Sequence, residues 1–378
     1  MVRSGLLSLA ALLVHVRCDI TDLDAAASAW VNNYSHLGEL PFSGIHTFAH
    51  LPYLDALANS SERFDFAIFG VPFDGSVSYR PGARFGPQGI RTGSRRQRPG
   101  RGYSIAQKID PYDLGLKIID AGDVPLSPYD PAIAMQQLQT AYRSMLNRRA
   151  LRPSTAALAA DGIARPRVLT LGGDHSIVLP ILRELYQVYG PISVIHFDAH
   201  LDTWDPAGYA GADSPTSQIN HGTMFHVAHK EGLLGPCIHA GIRTRLGKGD
   251  LEHDSQVGFT YVTTDDIDDL GADGVADALR ARVGSKPVYL SVDIDVVDPS
   301  MAPATGTPES GGFTSRELKK MLRGLVGLNF VGMDLVEVSP AYDTNAELTT
   351  MLAADLIHEI LSVMVQSQHQ DTHAHIEL

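Results

Sequence analysis

Five runs of strand length dominate this chain: Phe64 to Gly70 (FDFAIFG), Arg167 to Gly173 (RVLTLGG), Ile192 to Phe197 (ISVIHF), Pro287 to Val292 (PVYLSV) and Phe330 to Leu335 (FVGMDL). Each is almost continuously apolar rather than alternating, which predicts a strand covered on both faces. Helical periodicity fills the intervals. Thr314 and Glu317 form a capping-box pattern ahead of Leu318, Met321, Leu322 and Leu325, and a second, long helical pattern runs from Glu347 to about Val365. Strands and helices alternating in this way dictate an α/β fold with a mainly parallel sheet. With 378 residues, 44% hydrophobic and 19% charged, the chain can build one large domain or two ordinary ones and is not a disordered segment.

The formal net charge of −13 argues against a nucleic acid or an anionic membrane as partner, and mildly favours a cationic small molecule. The basic run Arg91 to Gly102 (RTGSRRQRPGRG) lacks interleaved aromatic residues and reads as a solvated or subunit-contacting loop. The opening MVRSGLLSLAALLVHVRC places an arginine before a short apolar stretch, Gly5 to Val14, so residues 1–18 read as a signal peptide. A mitochondrial presequence is the alternative, since Arg3 and Arg17 come before the first acid, Asp19. Sequons at Asn33 and Asn59 fit a secretory route. Removal of Cys18 would leave Cys237 alone, with no intramolecular disulfide. No later segment carries about 18 consecutive apolar residues, as a membrane span would. Residues 19–60 read as an N-terminal extension, 61–366 as the main domain, and the polar 367–378 as a flexible tail.

Charged residues collect where the apolar runs end. Asp174 and His175 follow RVLTLGG; Asp198, His200 and Asp202 follow PISVI; Asp293 and Asp295 follow PVYLSV. If the backbone stays extended, the period of two turns Asp198, His200 and Asp202 to one face. Sites of open parallel sheets form beyond the carboxyl ends of strands, so the three segments can meet. Alone, each motif reads as a cap or a turn. Together they demand a cation, and carboxylates mixed with imidazoles and no thiolate favour manganese, with zinc and magnesium left open.

The motifs GGDHS (Gly172 to Ser176), DAHLD (Asp198 to Asp202) and SVDIDVVDPSMAPATGTPESGG (Ser291 to Gly312) resemble those of the manganese-dependent ureohydrolases, which include arginase, agmatinase and guanidinobutyrase. The likeness runs from about Phe66 to Val365, and GVPFDGSVSYRPGARFGPQGIR (Gly70 to Arg91) with HGTMFHVA (His221 to Ala228) is closer to the agmatinase branch. The resemblance implies a three-layer α/β/α domain with a parallel sheet of about eight strands, assembled as a homo-oligomer, a trimer or hexamer. It also implies two Mn2+ per chain, one on His175, Asp198, Asp202 and Asp293, the other on Asp198, His200, Asp293 and Asp295. Asp202 would take the proton of the attacking water, His221 would relay one to the departing amine, and Glu337, in DLVEVSP, would pair with the substrate guanidinium.

Where arginases carry an aspartate after GxR, this chain has Thr244 in GIRTR, which disfavours free arginine. Agmatine is the first expectation and 4-guanidinobutyrate the alternative. A carboxylate-ended substrate would need a cation such as Arg84, Arg243 or Arg245 at the mouth. A metal-stabilised binding protein without turnover ranks behind, because His221 and Glu337 are both retained.

Overall fold

The computed structural model describes residues 40–152 and 159–374, together with Ser28, Asn32 and Asn33; the expected signal peptide lies outside these. The chain divides into residues 1–44 and a main unit, 45–378. Of the first, the described end is a turn in which the Ser43 amide donates to Leu40 O at 3.0 Å and Ser43 Oγ accepts from the Leu40 amide at 3.1 Å.

The main unit is built on eight parallel strands: β1 (Phe66–Gly70), β2 (Ile118–Asp123), β3 (Arg167–Leu171), β4 (Ser193–Phe197), β5 (Cys237–Ile242), β6 (Phe259–Thr263), β7 (Val288–Asp293) and β8 (Phe330–Val336). Their order across the sheet is β2-β1-β3-β8-β7-β4-β5-β6. Successive residues of each central strand feed opposite hydrophobic layers. On one face Phe66, Ile68, Leu169, Phe197, Val292 and Leu335 meet the helices Asp266–Val283, Ser315–Arg323 and Leu348–Ala374. On the other, Ala67, Phe69, Val168, Val194 and Val331 meet Pro131–Leu146, Val178–Tyr189 and Met224–Lys230. Double cover is why the five apolar runs are continuous.

The capping box forms as its sequence requires, with the Thr314 side chain accepting from the Glu317 amide and Glu317 reaching back to the Thr314 amide. The last helix differs from expectation at its end. It continues to Ala374, into the stretch that reads as a loose tail, because Gln366 Nε2 donates to Gln107 O at 3.1 Å and Ser367 Oγ accepts from the Gly327 amide at 2.8 Å. Within it, Leu348–Gln368 is long and apolar enough to cross a membrane, but 72% of its most apolar window is buried, with Leu356, Ile357, Ile360 and Leu361 in the core. Its apolarity serves the core. Arg91, from the basic run, is likewise buried, where it ties its helix to β2 through Asp120 (2.8 Å) and Asp123 (2.6 Å).

Candidate metal centre and active site

The four central strands, β3, β8, β7 and β4, end side by side, and every expected site residue except His221 either follows one of them or, as Asp293 does in β7, is its last residue. Beyond β3 the chain passes so close to Phe73 that a Cβ on Gly173 would lie 1.8 Å from the Phe73 carbonyl oxygen, so only glycine fits. Asp174 then accepts from the Ser176 amide at 3.0 Å and the Ser76 amide at 2.8 Å. It clamps two loops and frees His175 to face the strand ends.

Strand β4 stops at Phe197, so Asp198, His200 and Asp202 do not converge by extended alternation. A turn gathers them instead. The His200 amide donates to Asp198 Oδ1 at 2.6 Å, the Ala199 amide to Asp295 Oδ1 at 3.1 Å, and Asp202 takes a left-handed φ of 57°. Glu337, just past β8, has a φ of 60°. Two carboxylates held in a conformation that L residues rarely adopt mark a functional cleft.

His175 Nδ1 is the focus of the first cluster. Asp198 Oδ2, Asp202 Oδ2 and Asp293 Oδ2 stand 3.1, 3.0 and 3.4 Å from it. The other ring nitrogen, Nε2, lies 2.7 Å from Ser291 Oγ, and Ser291 donates its own proton to Asp334 Oδ1 at 2.8 Å. Tyr289 OH donates to Asp334 Oδ2 at 2.6 Å. With the serine proton committed, His175 must donate from Nε2, leaving a bare lone pair on Nδ1 among three carboxylates. Nδ1 and Asp198 Oδ2 are both buried without an aligned hydrogen-bond partner. Burial disfavours a charged His175, yet Asp198, Asp202 and Asp293 outweigh it and raise its affinity for a proton far above the ordinary. Such a donor set fits a divalent cation.

A second cluster adjoins the first through Asp198. His200 Nδ1 lies 3.2 Å from Asp198 Oδ1 and 3.0 Å from Asp295 Oδ2, so Asp198 turns one oxygen to each histidine. Asp293 reaches the first cluster through Oδ2, while its Oδ1 accepts from the Asp295 amide at 2.8 Å. Burial and the neighbouring Asp295 and Asp198 push the Asp293 carboxyl well above its ordinary range. A pair of cations would relieve that repulsion.

Glu337 Oε1 accepts from the His175 amide at 2.9 Å and lies 3.3 Å from His221 Nδ1; its Oε2 is buried without a partner. His221 Nε2 accepts from the Ser78 amide at 3.1 Å and lies 2.7 Å from Ser78 Oγ. Burial lowers the His221 pKa, but Glu337 wins and raises it to about 9. The structure thus joins the expected acid to the expected guanidinium carboxylate.

Two of the three candidate cations of the mouth are otherwise engaged. Arg243 donates to the carbonyls of Gly241, Val296, Asp295 and Glu309, and Arg84 pairs with Asp74. Arg245 is exposed. Thr244 Oγ1 donates to Glu309 Oε1 at 3.3 Å, and that oxygen is 3.7 Å from His200 Nε2. Glu309 thus sets a carboxylate beside His200 at this point. Ser78, Ser291, Asp334 and Glu309 were not singled out from sequence; the one available signal was a polar residue interrupting an apolar strand, as at Ser291 and Asp334.

The Arginase family model matches residues 64–362. Among curated relatives, "Putative agmatinase 1" of Schizosaccharomyces pombe is 51% identical, over 86% of this chain and 84% of its own length. The guanidinobutyrase of Pseudomonas aeruginosa is 37% identical over 86% and 94%. Of solved structures, proclavaminate amidino hydrolase from Streptomyces clavuligerus superposes with a TM-score of 0.75 at 36% identity, covering 87% of this chain and 100% of that one. The fold, the strand-end donors and these relatives agree: the chain belongs to the arginase family and is a ureohydrolase.

Proposed function

We propose that this protein hydrolyses agmatine to urea and putrescine, with two manganese ions held by His175, Asp198, Asp202 and Asp293 and by Asp198, His200, Asp293 and Asp295. When bound, the ions would supply Lewis-acid activation of water near neutral pH. The observation that carries the substrate class is the buried, unpartnered Oε2 of Glu337 beside the donor cluster. A planar guanidinium satisfies such an oxygen with a charge-assisted hydrogen bond. Asp202, with an oxygen 3.0 Å from His175 Nδ1, would take a proton from the attacking water. His221, held between Ser78 and Glu337, would deliver one to the departing amine nitrogen.

The tail of the substrate is chosen by what the mouth offers. Arg243 and Arg84 are committed to other groups, and Thr244 presents Glu309 rather than a partner for an amino acid. The carboxylate of Glu309 and the net charge of −13 favour the ammonium end of agmatine over a carboxylate end. The guanidinobutyrase relative and the exposed Arg245 support 4-guanidinobutyrate as the second reading. Urea release compared among agmatine, 4-guanidinobutyrate and arginine at equal concentration with manganese tests the choice. Agmatine should lead, and arginine as the best substrate would refute the role given to Thr244.

Secretion and assembly as a trimer or hexamer complete the proposal, supported by the leader composition, by sequons whose Asn33 and Asn59 are exposed, and by the family resemblance. Recovery of the native protein from mitochondria, starting at Met1 and unglycosylated, would refute secretion; a monomeric mass in solution would refute assembly.

A further inference from the structure

Gly306 lies in the chain beyond β7, where the antiparallel bridge of its neighbour Thr305 with Val338 sets it against the end of β8, beside Glu337. The Ser339 amide backs that bridge by donating to Ala304 O at 2.9 Å. The φ of Gly306 falls outside the left-handed region, so the backbone itself does not demand glycine. What a side chain would take is space. Among the described residues, and apart from the chain on either side, only two heavy atoms lie within 4 Å of the point where a Cβ on Gly306 would stand: Arg80 O at 2.9 Å and Glu337 Oε2 at 3.5 Å.

Both atoms are acceptors, and neither is satisfied. Glu337 Oε2 is buried without a partner, and among the described residues no amide or side chain donates to Arg80 O. A buried acceptor left unmatched is costly, so Oε2 with a second bare oxygen beside the same point calls for a donor. The Arg80 carbonyl is also held in place. Tyr342 OH donates to Pro81 O at 3.0 Å, and the Gly82 amide donates to Asp74 Oδ2 at 2.8 Å. The Arg80 guanidinium stands 5.2 Å from the centroid of the Tyr79 ring and 5.4 Å from that of Tyr342, within cation–π range. With its side chain and the two following residues all gripped, the carbonyl keeps its direction toward Gly306. One free carboxylate oxygen reads charge, but a guanidinium carries five N–H donors in a fixed plane and leaves most of them unmatched there.

We propose that the main-chain carbonyl of Arg80 is the second acceptor for the guanidinium of the substrate, beside Glu337 Oε2, with Gly306 leaving room for the head group and Tyr342 positioning the carbonyl. The inference deepens the ureohydrolase reading and rests on it: Glu337 receives the charge, and Arg80 O fixes the plane. Choice of the head is thereby separate from choice of the tail.

Steady-state urea release by the full-length, manganese-loaded protein tests this, with bound manganese and melting temperature measured alongside. In Gly306→Ala a methyl group stands between the two oxygens, so kcat/KM should fall about ten- to a hundred-fold, the worth of a hydrogen bond to a charged group, while manganese content and melting stay near wild type. The loss should be the same on every guanidino substrate that the wild type hydrolyses, because all share the head. Tyr342→Phe keeps the ring beside Arg80 and removes the bond to Pro81 O. Its KM should rise about two- to ten-fold with kcat nearly unchanged, a split that a merely structural role would not give. A kcat/KM within about two-fold of wild type in Gly306→Ala, or a loss confined to substrates with one kind of tail, overturns the assignment. If Gly306→Ala does not fold or does not hold manganese, Tyr342→Phe decides alone: the rise in KM supports the proposal, and an unchanged KM overturns it. A wild-type protein that releases urea from none of agmatine, 4-guanidinobutyrate and arginine would instead overturn the ureohydrolase reading beneath it.

Discussion

His221 Nδ1 lies 3.3 Å from Oε1 of Glu337, while the second oxygen of that carboxylate is buried without a partner. One oxygen holds the acid and the His175 amide; the other is free to hold the guanidinium. Glu337→Gln keeps an acceptor for the His175 amide but removes the charge that selects the substrate. Loss of one partner of a buried charge pair costs roughly 3 kcal/mol or more, so kcat/KM for the guanidino substrate should fall at least about a hundred-fold with thermal stability little changed. Steady-state urea release measures it, and a loss of under ten-fold would remove Glu337 from substrate recognition.

Ser291→Ala addresses the tautomer of His175. Without Ser291 Oγ, 2.7 Å from Nε2, the hydrogen bond that commits the Nδ1 lone pair to the ligand cluster is lost. Manganese affinity should fall about ten- to a hundred-fold, read by chelator competition. Unchanged affinity would show that the carboxylates orient the ring unaided.

The approach of Gly173 to Phe73 predicts a large steric effect. A methyl group 1.8 Å from the Phe73 carbonyl oxygen forces two backbones apart, so Gly173→Ala should destabilise the protein by about 3 kcal/mol or more and disturb the Asp174 clamp. Thermal or denaturant unfolding measures it; a shift under about 1 kcal/mol would show that the loop has room to yield.

These groups differ in how far the sequence exposed them. The strands β1, β3, β4, β7 and β8 were legible because burial on both faces writes a continuous apolar run. The edge strands β2 (IIDAGD) and β6 (FTYVT), and β5 (CIHAGI) beside β6, mix in aspartate, glycine, threonine and histidine, which blur that signal. His175, Asp198, His200, Asp202, Asp293, Asp295 and Glu337 were visible as charges at strand ends. The turn that gathers the DAHLD residues was not, because it depends on amide bonds to Asp198 and Asp295 that no local periodicity encodes. The buried contacts of His196 with His239 (2.7 Å) and of His239 with Asp254 (3.0 Å) stayed hidden for a similar reason. Their link depends on the register of β4 with β5 and on a helix 15 residues beyond His239.

A pH-dependent stability effect follows from Asp298, in the loop that carries Glu309. Hydrogen bonds from Ser300, then from the Gly311 and Gly312 amides, hold its pKa down at about 2. A carboxylate depressed in the fold contributes stability that is fully present above its unfolded value of about 3.9 and is lost as the pH falls through the folded value. Asp298→Asn should therefore melt earlier than wild type at pH 6, and the gap should close between about pH 4 and pH 2. A gap that is independent of pH would assign the effect to loop shape alone.

Whether the protein is a two-metal hydrolase selective for a cationic guanidino compound is decided by a metal titration of activity. Chelator-stripped protein is titrated with manganese while urea release from agmatine is followed beside bound metal per chain, for wild type and for Asp293→Asn. A two-metal hydrolase should show no turnover without metal and activity that saturates at two ions per chain, and its Asp293→Asn variant should hold fewer than two and be nearly inactive. Full activity at one ion or none, or normal turnover in Asp293→Asn, would contradict it.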